Sequence, residues 1–103
     1  MKKEKLTILA VSGSGAASTA IITKKIEKVL APLVDNLDIV SLLPTSVEGF
    51  VARGGVDFVV TTTPIPGEVN VPVIEAIGML TGFGEDMVME EILATARYIL
   101  SRD

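Results

Sequence analysis

The residues of this chain best suited to chemistry stand together near its start. Ser12-Gly13-Ser14-Gly15-Ala16-Ala17-Ser18-Thr19 follows directly on the run Leu6-Thr7-Ile8-Leu9-Ala10-Val11. An apolar run that enters a glycine turn and then a polar-apolar repeat predicts a buried strand feeding a helix. Such a turn is a natural anion site. Glycines let successive backbone N–H groups converge, and the helix N-terminus adds a favourable dipole. Small side chains at Ala16 and Ala17 leave room for the oxygens of one phosphoryl group, and the hydroxyls of Ser14, Ser18 and Thr19 can add donors. The first position, where loops of this kind often carry a nucleophile, is Ser12.

Two other phosphate loops compete with this reading. A nucleoside-triphosphate loop needs a lysine followed by Ser or Thr directly after its second key glycine, but the first lysine here is Lys24, already inside the helix. A dinucleotide loop needs a third Gly or Ala where Ser18 stands, and an acidic residue after the second strand. Asp35 and Asp38 come before that strand or at its start. In the cysteine phosphatases an arginine stands six residues after the nucleophile, and here that place is Ser18. Without a fixed cationic fork the loop is better suited to pass a phosphoryl group on than to hydrolyse an ester. The same composition also fits a plain tight connection with Ser18 as an ordinary helix cap.

Fewer residues elsewhere invite a role. Thr61-Thr62-Thr63 ends the third strand and can border the phosphate pocket, although strand propensity accounts for threonines there as well. Glu75 lacks a partner acid, which argues for a solvated carboxylate. Lys24, Lys25 and Lys28 read as a solvated helix face that an acidic partner can use. Phe83 lies in a second glycine loop, "GMLTGFG" at 78–84; packing under the last helix is the commoner fate of a phenylalanine, docking the other.

Composition narrows the function further. The 103 residues fit one domain, expected to span 1–103. Hydrophobic residues make up 49% of the chain but aromatic ones only 4%, so aliphatic side chains must build the core. The net charge is −4, with no basic face for nucleic acid. There is no cysteine and no histidine, which removes disulfides, thiolate metal sites and the commonest general base. No metal or organic cofactor is implied. Residues 6–12 are too few for a signal sequence and no apolar run is long enough to insert in a membrane, so a cytoplasmic protein is expected.

The elements that position the loop alternate. Strands are expected at 5–12, 37–43, 56–62 and 71–74. Helices are expected from Ser18 or Thr19 to Pro32, from Thr45 or Ser46 to Arg53, and from Glu85 nearly to the end. In the last helix Val88, Ile92, Ala96 and Ile99 share one face. The first three strands read as buried on both faces, which suits a parallel sheet between helical layers. The fold expected is an α/β, three-layer αβα sandwich on a four-stranded, mainly parallel sheet. Ligands of such sheets bind beyond the carboxyl ends of the strands, where residues 12–19 fall.

Over nearly its whole length the chain resembles the galactitol-type IIB component (EIIB) of the bacterial phosphoenolpyruvate-dependent sugar phosphotransferase system. That type has a short strand, then Cys-Gly-x-Gly-x-x-x-Ser/Thr, then a helix. Residues 12–19 fit it except at the first position. The segment Val71-Pro72-Val73-Ile74 is similar to the family's proline-flanked strand, and Leu80-Thr81-Gly82-Phe83-Gly84 to its second loop. The resemblance implies strand order 2-1-3-4. It also implies a phosphocarrier that takes a phosphoryl group from a phosphorylated IIA protein (EIIA) and passes it to a sugar or sugar alcohol imported by the membrane permease IIC (EIIC). The carrier would be cytoplasmic, peripheral to the membrane through EIIC and without insertion of its own.

One departure bears on activity. The family phosphorylates a cysteine, and this chain has Ser12. A thiolate is a good nucleophile whose pKa falls near converging amides, whereas a serine hydroxyl needs a base. There is no histidine, and the nearest acid after the loop is Glu27. Either Ser12 replaces the nucleophile of a phosphotransferase and leaves this form inactive, or the chain is a non-catalytic regulatory or adaptor domain of the same fold.

Overall fold

The structure is a computed structural model that describes residues 5–13 and 15–102. Four strands form one parallel sheet in the order β2-β1-β3-β4, as expected from the alternation and the resemblance. They are β1 (Lys5–Val11), β2 (Asn36–Leu42), β3 (Phe58–Thr61) and β4 (Val73–Glu75). The helices are α1 (Ala16–Leu30), α2 (Val47–Ala52), α3 (Gly78–Thr81) and α4 (Glu85–Ser101), with a 3-10 turn at Pro44–Ser46.

Alternation along the central strands divides the core in two. Leu6, Ile8 and Ala10 of β1, with Phe58 and Val60 of β3, face Ile22, Ile26 and Leu30 of α1 and Ile92, Ala96 and Ile99 of α4. Leu9, Val11 and Val59 face the other way, onto Val47, Phe50 and Val51 of α2 and onto Ile65, Val69 and Val71 of the connection to β4. Helical layers therefore cover both faces of the sheet. The apolar face expected for the last helix is the one it buries, with Val88 partly buried against the same cluster.

Several boundaries differ from the sequence reading. α1 starts at Ala16, two to three residues before the expected caps, so Ser18 and Thr19 lie inside its first turn. β3 begins only at Phe58, because Asp57 is held differently. Its N–H donates to Thr7 O and its carboxylate accepts from Thr7 N–H, both at 2.8 Å. β2 is not buried on both faces. As an edge strand it alternates between exposed and half-buried residues. The second glycine loop contains the single turn α3, closed by Gly82 in the left-handed region at φ 85°, where only glycine is unstrained.

Candidate functional site

The carboxyl end of β1 is held from the side. Thr62 N–H donates to Val11 O at 3.1 Å, which brings the end of β3 against the start of the loop. Thr63 then lies over Gly13: a Cβ there would stand 3.3 Å from Thr63 Oγ1, so this position takes a larger residue only if the threonine gives way. Ser12 is buried, with 3% of its surface exposed. It forms the base of the site rather than its rim. Ser14 lies outside the described residues.

Gly15 is the N-cap of α1, at φ 99°, ψ −171°. That conformation is closed to other residues without strain, and it explains why the helix starts here instead of at a hydroxyl cap. Thr19 N–H donates to Gly15 O at 3.2 Å, and Thr19 Oγ1 donates to the same oxygen at 3.1 Å. Thr19 therefore turns inward and spends its amide within the helix. The amides of Ala16, Ala17 and Ser18 belong to the first turn, whose N–H groups have no partner within the helix itself. Gly15 has no side chain to cap this end, and no acidic residue stands in its first turn. Of the ring of donors expected between Gly13 and Thr19, Thr19 is thus a support within the helix. Ala16 and Ala17 are exposed and leave that turn open.

A cavity of about 490 Å³ opens at this point, between α1 and the end of β2. Ser12, Gly15, Ala16 and Thr19 border one end of it, and Lys24 and Glu27 border it further along α1. Eleven residues separate Ala16 from Glu27, about 16 Å of helix. Glu27, the nearest acid after the loop in sequence, is thus at the far end of the cleft from the serine, too remote to serve as its base. Among the described residues no cluster of three or more potential metal ligands occurs.

A smaller cavity of about 260 Å³ is bordered by Thr61, Thr62, Thr63, Pro64, Glu75 and Ile77, at the carboxyl ends of β3 and β4. Thr61 is settled within its own turn: its Oγ1 donates to Thr63 O at 2.7 Å and accepts from Thr63 N–H at 3.1 Å. It shapes the turn that puts Thr63 over Gly13. Glu75 is exposed.

Lys25 departs from its expected place on a solvated face. Its ammonium donates to Met79 O at 2.8 Å and pairs with Glu85 at 3.0 Å, which ties the second glycine loop to the middle of α1. Phe83 does not pack: it is 89% exposed in the loop that Lys25 fastens. The sequence carried no signal for this tie, since the partners lie 54 and 60 residues away.

No protein-family model matches the chain, and no curated protein matches it. Among the described residues no helix is long and apolar enough to cross a membrane.

Proposed function

We propose that the chain is a phosphocarrier domain of the EIIB kind, of the galactitol type, in which Ser12 occupies the position of the phosphorylated cysteine. The observation that carries this reading is Ser12 itself, buried at the base of a cleft onto which the uncapped first turn of α1 opens. A phosphoryl group on the residue at 12 would meet the amides of Ala16, Ala17 and Ser18 and the positive end of the α1 dipole. No arginine stands in the loop, which suits holding and handing on over rapid hydrolysis. In this reading a phosphorylated EIIA protein supplies the group. A sugar or sugar alcohol carried by the EIIC permease receives it, at the cytoplasmic face of the membrane.

The serine form is inactive as a carrier on this account. No histidine exists in the chain, and Glu27 is out of reach. The same two observations favour one second reading, a regulatory or adaptor domain that docks or senses without transfer. Intact mass after incubation of Ser12→Cys with phosphoenolpyruvate, the upstream carriers and a matched EIIA separates the two. The phosphocarrier reading expects one added phosphoryl group on the cysteine form and none on the serine form. An unlabelled cysteine form beside a competent EIIA would overturn it.

A further inference from the structure

The outer edge of the sheet carries a feature that runs well beyond the cleft at Ser12. β2 pairs with β1 on one side and stands at the end of the strand order. In a parallel pair alternate residues turn their N–H and C=O away from the partner. The seven residues of β2 therefore leave an open row of donors and acceptors along the outside. Natural edges of this kind are commonly guarded by lysine, proline or a bulge. β2, Asn-Leu-Asp-Ile-Val-Ser-Leu, has neither lysine nor proline, Asp38 is its single charge, and its register with β1 runs unbroken from Asn36 to Leu42. Leu37, Ile39, Val40 and Leu42 are all only half-buried.

A trough runs beside this edge. The cavity of about 490 Å³ borders Ser41, Leu42 and Leu43, and another of about 320 Å³ borders Leu37, Asp38 and Ile39. Each touches three consecutive residues of the chain, and the two share Thr23 and Glu27 of α1. Together they follow β2 from one end to the other. The facing wall is made of short side chains at helical spacing, Ala16, Thr19, Ala20 and Thr23. The wall from Ala16 to Glu27 is about 16 Å long, which matches about five residues of extended chain.

We propose that this trough binds an extended polypeptide segment of a partner protein, which adds to β2 as a fifth strand. The open main-chain row selects the extended form, since a helix satisfies its own backbone and leaves that row unpaired. The shallow wall of α1 selects small or β-branched side chains at alternate positions. Charge selects the partner. Asp38 and Glu27 border the trough and Asp35 precedes the strand, with Lys24 the single cation bordering it among the described residues. A second copy would bring the same acids to the same edge in a chain of net charge −4. A neutral or basic segment meets no such repulsion. One end of the trough is the cleft bordered by Ser12, but the proposal requires no chemistry at that residue.

Linear peptides selected from a random displayed library on the folded protein provide the test. Thr23→Arg sends a long side chain into the stretch shared by both cavities from a half-exposed helix position, leaving the residues of β2 and Ser12 unchanged, and Ala20→Arg repeats the block from an exposed position on the same wall. Expected are binders with alternating small apolar residues and few acids. They should shift the amide resonances of residues 36–43 and 16–27, and should weaken about tenfold or more on both variants, whose unfolding matches the parent. Binders insensitive to both substitutions, bound helical, or mapped to Phe83 and Met87 would overturn the proposal. So would the absence of any binder. Self-association of the parent that both variants abolish would make the occupant a second copy and overturn it equally.

Discussion

A methyl group added at Gly78 would run into the backbone of residues 83–85. The new Cβ would overlap Phe83 O and stand 3.2 Å from Gly84 C and 3.3 Å from Glu85 N. None of these is the tip of a flexible side chain, so relief requires the α3–α4 turn itself to shift. That turn is fastened by Gly82 N–H to Gly78 O at 2.8 Å and by the two bonds of Lys25. Overpacking of this kind costs about 1–3 kcal/mol. Replacing glycine by alanine in a helix returns about 0.5–1 kcal/mol, largely by restricting the unfolded chain. The net expectation for Gly78→Ala is a loss of about 1–2 kcal/mol, or roughly 4–16 °C in Tm for a domain of this size. Gly49→Ala is the internal control. Gly49 sits in α2 at an ordinary helical φ with nothing within 4 Å of its would-be Cβ, so the same substitution should stabilise by about 0.5–1 kcal/mol. Both changes act alike on the unfolded chain, so their difference isolates the clash. Thermal unfolding by circular dichroism, with urea midpoints alongside, gives both values. A Gly78→Ala protein as stable as Gly49→Ala would refute the close approach and the fixed turn with it.

Other perturbations probe separate links. Lys25→Met should cost about 1–2 kcal/mol in urea unfolding, since it removes a charged hydrogen bond and a part-exposed ion pair; Glu85→Gln, which spares the Met79 contact, should cost less. Asp57→Ala strips Thr7 N–H of its carboxylate partner and should destabilise by about 1–3 kcal/mol. A smaller loss would mean that water replaces the carboxylate. Ser12→Ala should leave phosphate-induced amide shifts at Ala16, Ala17 and Ser18 in place during an NMR titration, because backbone and dipole supply the attraction. Their disappearance would assign anion binding to the hydroxyl.

The parts of the fold that follow from local pattern were legible in the residues. The face of α4 is written in the spacing of Ile92, Ala96 and Ile99, and the burial of β1 in the apolar run from Ile8 to Val11. The start of α1 was not legible, because two good hydroxyl caps competed with a glycine whose φ only the folded turn reveals. β2 has the composition of an interior strand; its place at the edge depends on the order of the sheet, which no window of seven residues contains. Glycine at 78, 82 and 84 signalled a loop and concealed the turn of α3 between the first two. The base of the anion site was legible as Ser12, but the inward role of Thr19 was not, because a threonine after a glycine turn looks the same whether it faces a ligand or its own helix.

The strand order has a consequence for how the chain comes into being. β1 lies between β2 and β3, yet it is the first strand made. Its register with β2 is complete only when Leu42 has been added, 31 residues after Val11, and its contact with β3 only at Thr61. At ribosomal rates that first wait is roughly 1.5–6 s. Throughout it a continuous apolar strand has α1 as its only possible cover from the chain made after it, and a helix of 15 residues protects one face alone. The segment 6–11 is therefore the stretch for which a nascent-chain chaperone has the longest opportunity, and β4, three residues long and added last, is the strand that closes the sheet.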